Sequence, residues 1–320
     1  MNKTINFFNG FHCGDLFSSK EFVRQITTEL TGFNFGYYHE NHPKVLLDLN
    51  IPCLGQYKLE HNVHKFVEEE NTLNINTWSG AYSPACSFEP PYFQVDGIGI
   101  SLDLLCLEWE FIFQKINDTF GTSLKLKEKS NYVPEINFEC FNLENHKKFL
   151  EERGNTKKIL FCNGFPMSGQ SIPGDMKDII LYFAEKYPEY DFICTKKFDS
   201  EIKNILFTDD ITVKYDIPIR LNIPWNDRTN GICDLNEISY LSNFCDLIIG
   251  KQSGPFCFCA TKDNFMNKNK HIISFNNNPT DSLAHNLDVE CDYFLCSEFE
   301  RFCNDTQYVM DIIEEKINII

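Results

Sequence analysis

Apolar residues along this chain follow two rhythms. Short, nearly unbroken runs such as TINFFN (4–9), KKILFC (157–162), YDFICT (190–195), CDLIIG (245–250) and KHIISF (270–275) have the length and side-chain types of buried strands. FNFGYYH (33–39) and LNINTW (73–78) read as strands as well. Elsewhere apolar residues recur every three or four positions: Phe22, Val23, Ile26 and Leu30 within 18–30, Met176, Ile179, Ile180, Phe183 and Tyr187 within 174–187, a long stripe within 101–117, and QYVMDIIEEKINII at 307–320. That period predicts amphipathic helices. Three more helices are predicted over 61–69, over DLNEISYLSNF (234–244) and over PFCFCATKDNF (255–265). In the second of these, Asp234 and Glu237 have the spacing of a capping box, and in the third Pro255 stands at the first position.

Strands separated by helices of this length predict parallel sheets with crossover helices, and strands without polar alternation predict sheets covered on both faces. A chain of 320 residues has room for two cores. The polar stretch 125–158 lacks a long apolar period and is expected to hold the linker. The expected architecture is therefore α/β, with two Rossmann-like domains, 1–152 and 153–302, facing a central cleft. The helix within 303–320 is expected to pack back on the first domain.

Composition narrows the function. Lys and Arg number 29 against 46 Asp and Glu, a net charge of −17, and no basic run of five residues occurs, which argues against a protein that tracks nucleic acid. The 14 cysteines are scattered through apolar runs with no Cys-x-x-Cys pair. Together with the lack of a charged, apolar N-terminal leader, they point to reduced thiols in a cytoplasmic protein. No apolar segment reaches 18 residues, so a peripheral membrane contact is the one kind left open.

In open α/β sheets ligands bind beyond the carboxyl ends of the strands. Three loops at such ends hold more small polar residues than a connection needs. NGFHCGDLFSS (9–19) offers Asp15 as a general base, with His12 as the competing base; as a plain connection, Gly14 would make the turn, Asp15 or Ser18 would cap the next helix, and His12 would be an ordinary loop residue. NGFPMSGQSIPGDM (163–176) is long for a strand-to-helix loop and offers Asn163, Ser168, Gly169, Gln170 and Ser171 as a cradle for phosphate oxygens. IIGKQSGPFCF (248–258) ends a buried strand and opens a predicted helix, so Ser253, Gly254 and Pro255, with Lys251 nearby, would face an anion. The plain reading of that loop is a well-capped helix after a glycine turn.

Neither Gly-x-Gly-x-x-Gly nor Gly-x-Ser-x-Gly is present, which argues against a dinucleotide oxidoreductase and an α/β hydrolase. Asp-x-Asp is absent too, so no obligatory metal is expected. The two halves, Gly14-Asp15 after the first strand and Ser253-Gly254-Pro255 after a late one together resemble GT-B glycosyltransferases, nearest the heptosyltransferase-like group. Gly14-Asp15 is similar to the Gly-Asp of that group's first loop, and Gln252-Ser253-Gly254 to its late Asp-Thr-Gly. Gln252 replaces the acidic residue, and Phe256 and Cys257 occupy the region where a His often follows.

The resemblance implies transfer of a sugar, with inversion, from a nucleotide-diphosphate sugar to a hydroxyl on a glycan or glycolipid, with Asp15 as base and no other cofactor. It also implies Lys196 or Lys251 as added positive charge at the donor, and Glu237 or Thr195 as contacts to its nucleoside. The alternatives are a polysaccharide pyruvyltransferase or sugar-nucleotide epimerase on a similar fold, or a non-catalytic scaffold that binds a glycan or protein through NTWSG and the aromatic loop 80–95.

Overall fold

The computed structural model describes residues 3–11, 13–58, 63–94, 101–164, 176–212, 234–251, 253–276, 282–296 and 304–320. The chain divides into two compact units: residues 3–135 together with 282–287, and the remainder from Ile136 onward.

Among the described residues the first unit is built on five strands: β1 (Lys3–Asn9), β2 (Phe33–His39), β3 (Cys53–Gly55), β4 (Phe66–Glu69) and β5 (Thr72–Asn76), in the order β3-β2-β1-β5-β4. All neighbours are parallel except β4, which pairs antiparallel with β5. A two-residue turn joins them, and Asn71, at φ 56°, supplies the left-handed residue that it needs. The helix expected over 61–69 is thus, where it is described, a turn at 63–65 and a strand from Phe66 to Glu69. Its glutamates favour a helix, but Phe66 to Glu69 gain a hydrogen-bonded neighbour at the sheet edge, and tertiary pairing overrides local preference. The core is held by stacked rings: Phe22 lies 5.0 Å from Trp109 and 3.9 Å from Tyr132, nearly parallel to both. These contacts tie helix Lys20–Glu29 to helix Leu102–Phe120 and to the turn Lys129–Tyr132.

Among the described residues the second unit has six strands, all parallel: β6 (Lys158–Cys162), β7 (Asp191–Cys194), β8 (Ile205–Phe207), β9 (Leu247–Lys251), β10 (His271–Phe275) and β11 (Asp292–Cys296). Their order, β8-β7-β6-β9-β10-β11, is the doubly wound 3-2-1-4-5-6 arrangement, and the winding reverses between β6 and β9. Every residue of β6 and β9 is buried, as expected of central strands covered on both faces. Helix Leu235–Ser242 ends on the ammonium of buried Lys270, which donates to the carbonyls of Ser242 (2.6 Å), Asn243 (3.1 Å) and Cys245 and so satisfies the negative end of the helix.

Four expectations change. The units part at Glu135 rather than at 152. Glu135 is held to the first unit, its N–H donating to Glu21 and its carbonyl accepting from Lys20, whereas helix Glu144–Arg153 is tied to the second through Asn145 to the Ile211 carbonyl and Arg153 to Asp191. The last helix, Thr306–Ile317, buries Val309, Ile313 and Ile317 in the second unit's core, where the sequence placed it over the first. Asp234 makes no capping hydrogen bond to its helix, because its carboxylate accepts from Thr208 at 3.0 Å. The helix expected over 255–265 is two single turns, Gly254–Cys257 and Lys262–Phe265, interrupted at Thr261, whose backbone is extended and whose hydroxyl accepts the Asn264 N–H (3.4 Å) and so caps the second turn.

Residues 282–287 belong with the first unit through one polar knot. Lys129 Nζ donates to Asp103 at 2.7 Å and to the Asn286 carbonyl at 2.6 Å, while the Asn286 amide donates back to Asp103 at 3.2 Å.

Candidate functional site

At the carboxyl end of the first sheet, β1 runs out at Asn9. Its buried amide donates to Thr77 Oγ1 (3.3 Å) and its Oδ1 accepts the Phe11 N–H (2.9 Å), so the chain turns sharply there. Thr77, beyond β5, in turn shares a 2.5 Å hydrogen bond with the Tyr37 hydroxyl of β2. A second clasp comes from the loop after β2, where Asn41 donates to the Phe11 carbonyl (3.1 Å) and accepts from the Cys13 thiol (2.9 Å). Cys13 is therefore part of the clasp that holds this turn.

The helix that follows starts at Cys13, earlier than the sequence pattern indicates, and Asp15 lies in its first turn at 8% exposure. Neither Asp15 nor Ser18 stands at the cap position expected of a plain connection: both lie within helix Cys13–Ser18, and the residue that precedes helix Lys20–Glu29 is Ser19. His12, the alternative base, lies outside the described residues. Burial first, and then the charge of Asp15, push the Tyr37 phenol well above its ordinary pKa, so that it remains a neutral hydroxyl. Buried His39 has its Nδ1 3.1 Å from the Asn41 carbonyl, which can only accept, so Nδ1 carries the proton, and desolvation lowers its pKa to about 4.

One acidic group here is not legible as a site residue in sequence. Glu108, on helix Leu102–Phe120, is 2% exposed, and its Oε1 makes no hydrogen bond. Its electrostatic neighbours are Asp15 and Lys65.

In the second unit the described donor candidates leave the same edge of one sheet. Cys162 of β6 is in register with Gly250 of β9, so Asn163, just past β6, and Lys251, the last residue of β9, leave adjacent strands at the point where the winding reverses. Asn163 brackets the main chain of Lys196, accepting from its N–H (2.8 Å) and donating to its carbonyl (3.0 Å), and the Thr195 hydroxyl reaches Asn163 Oδ1 at 3.5 Å. Asn163, Thr195 and Lys196 are thereby brought together, with the Lys196 side chain exposed.

Across the switch point Lys251 is buried at the end of β9. Ser253 is 8% exposed, and its hydroxyl makes no hydrogen bond. Gly254 and Pro255 open a single turn, so the long helix dipole expected behind them is missing. Gly254 stands beside Leu235, since a Cβ on it would lie 3.7 Å from Leu235 Cδ2. Helix Leu235–Ser242, which carries buried Glu237, therefore begins next to Ser253. Ser168, Gly169, Gln170 and Ser171 lie outside the described residues, as does Gln252.

Every described cysteine is a free thiol, and burial pushes the Cys245 thiol up to about 12 and holds those of Cys162 and Cys194 well above the ordinary thiol range, which makes them poor nucleophiles. Among the described residues no group of three or more His, Cys, Asp or Glu side chains could hold a metal ion, and no helix is long and apolar enough to cross a membrane.

No protein-family model matches the sequence, and no curated protein does. Solved structures do match. The heptosyltransferase WaaC of E. coli, determined with ADP-2-deoxy-2-fluoro heptose, superposes with a TM-score of 0.51 at 8% identity, over 98% of this chain and 99% of that one. A glycosyl transferase family 9 protein of Veillonella parvula gives 0.49 at 12% identity, over 98% and 90%. At such identities the likeness is one of fold: this chain has the GT-B, heptosyltransferase-like fold.

Proposed function

We propose that the protein is a glycosyltransferase that moves a sugar from a nucleotide-diphosphate sugar to a hydroxyl of a glycan or glycolipid, with inversion and without an obligatory metal. The observation that carries this is Ser253, a buried hydroxyl without a partner at the switch point of a doubly wound sheet. A buried hydroxyl left unpaired costs stability unless a ligand atom completes it. The sugar nucleotide seen with the E. coli heptosyltransferase has oxygen-rich groups of the kind that would do so.

In this reading the second unit binds the donor. Ser253 and the main chain of Gly254 and Pro255 meet the diphosphate, Lys251 and Lys196 supply positive charge, Thr195 and Glu237 contact the nucleoside, and Asn163 holds the Lys196 loop in place. Ser168, Gly169, Gln170 and Ser171 complete the phosphate cradle. The first unit supplies Asp15. As the acceptor oxygen bonds to the anomeric carbon, its proton passes to Asp15, and the bond to the diphosphate oxygen breaks with the electron pair leaving on the diphosphate. His12 is the alternative base.

The test is a thermal-shift screen with nucleoside diphosphates and their sugars, followed by transfer assays. A ligand that binds only the folded protein raises its melting temperature. Asp15→Ala is expected to keep that shift and lose about 10²–10⁴-fold in turnover, and EDTA to leave the rate unchanged. If no nucleotide shifts the melting temperature, the donor reading is wrong, and if Asp15→Ala retains full turnover, Asp15 is not the base.

A further inference from the structure

Asn9 and His39 stand in register at the ends of the parallel strands β1 and β2, so Phe11 and Asn41 each lie two residues further on, in neighbouring loops. Both main-chain groups of Phe11 are taken up by asparagine side chains. Asn9 accepts its N–H at 2.9 Å, and Asn41 donates to its carbonyl at 3.1 Å. That second bond fixes which way the Asn41 amide faces, because only its nitrogen can meet a carbonyl oxygen. Asn41 Oδ1 is then turned to the Cys13 thiol, which donates to it at 2.9 Å. One side chain thus holds the turn at two points, Phe11 and Cys13.

Asn41 is itself held, since buried His39 gives its Nδ1 proton to the Asn41 carbonyl at 3.1 Å. On the other flank, the Phe11 ring stacks on Trp78, beyond β5, with centroids 3.6 Å apart, and Asn9 is anchored by Thr77. Phe11, Asn41 and Cys13 are only half-buried, so water could serve the same polar groups, and each bond adds modestly to stability. What the bracket adds is position. Cys13 is the first residue of helix Cys13–Ser18, and Asp15 lies two residues further on, in its first turn.

We propose that Asn41 is the positioning residue of the candidate base: by holding Phe11 and Cys13 it sets where helix Cys13–Ser18 begins, and so where Asp15 stands at the carboxyl end of the first sheet. The inference rests on the reading of Asp15 as base. Asn41 touches neither donor nor acceptor and acts through Asp15. A base must lie within hydrogen-bond reach of the proton it takes, and a displacement of about 1 Å costs up to about 10²-fold in rate.

The test is a double-mutant cycle in the full chain, read as sugar transfer. Asn41→Ala is expected to lower kcat by about 10–10²-fold with the donor KM unchanged. In an Asp15→Ala background it should lower kcat no further, since a residue that acts by placing Asp15 then has nothing left to place. A residue needed for folding alone would lower both backgrounds alike. Asn41→Asp has the same size, keeps an acceptor for Cys13 and loses only the donor to the Phe11 carbonyl, so it repeats the cycle if the alanine variant does not fold. Equal losses in the two backgrounds, or wild-type turnover in the Asn41 variants while Asp15→Ala is impaired, overturn the positioning role and leave the base standing. Full turnover in Asp15→Ala overturns the base and the positioning role together. Hydrogen exchange over residues 9–19 needs no substrate: it should be faster in the Asn41 variants than in the wild type, and unchanged exchange overturns the inference whatever the reaction.

Discussion

Replacing Gly250 with alanine adds one methyl at the end of β9, and the surroundings leave it no room. The new Cβ would stand 2.3 Å from Phe256 Cδ2, 2.8 Å from Phe256 Cγ and 2.9 Å from Cys162 Cβ. Carbon atoms in contact keep about 3.5–4.0 Å, so the Phe256 ring must retreat by more than about an ångström. Phe256 and Cys162 are both buried, and Cys162 is pinned in the central strand β6. Overpacking of this kind costs about 1–3 kcal/mol, and a clash this deep should fall near the upper end. For a unit of this size that is a melting temperature lower by about 6–12 °C.

Because Phe256 lies in the turn that begins just after Ser253, its retreat should also weaken nucleoside diphosphate binding, read by calorimetry at a temperature where the variant is folded. Gly164→Ala is the control: among the described residues no atom lies within 4 Å of its added Cβ, and its stability should stay within about 0.5 kcal/mol of wild type. A Gly250→Ala protein that melts with the wild type and binds as tightly would show that the close approach of Phe256 to β9 does not hold the turn.

Two further perturbations test the first unit. Lys20 Nζ and Asp48 Oδ2 are 2.6 Å apart, and both side chains are fully buried, so Asp48→Ala strands an ammonium and should cost about 3–5 kcal/mol, measured by urea unfolding with tryptophan fluorescence. The double change Lys20→Met, Asp48→Leu should recover most of that loss, and failure to recover would mean the pair sets more than charge balance. His39 is held neutral when folded, with its pKa at about 4 against 6.5. The folded state therefore binds fewer protons than the unfolded state, and the contribution of His39 is complete above about pH 6.5 and lost as the pH falls towards 4. That amounts to roughly 3 kcal/mol, and His39→Gln should flatten melting temperature against pH in this window. A variant with the same acid sensitivity would assign it to other groups.

The parts of the fold that are legible in sequence are those where burial on both faces leaves a continuous apolar run. β1, β6, β7, β9 and β10 are of that kind, and so are the helices with a full apolar stripe. β3, β8 and β11 have only three to five residues each at or near sheet edges, too little for a period to show. β4 carries a helix-favouring composition that only its pairing with β5 overrules. The candidate site is legible as loops but not as contacts. Asp15 and Ser253 stand out by position, whereas Asn163 looks like a ligand contact although its amide is committed to the Lys196 main chain. Glu108 leaves no signal, because one acidic residue on a helix reads as solvent-facing until tertiary packing buries it.

The knot of Lys129, Asp103 and Asn286 bears on how this chain can be divided. A fragment ending at Glu135 would keep all five strands of the first sheet but lose the Asn286 carbonyl and amide, leaving Lys129 and Asp103 with only each other. The first unit is therefore discontinuous in sequence, and its last stabilising piece is synthesised only after most of the second sheet. During synthesis it must wait for that piece, and any exchange of halves between related proteins would have to carry 282–287 along with the amino-terminal half.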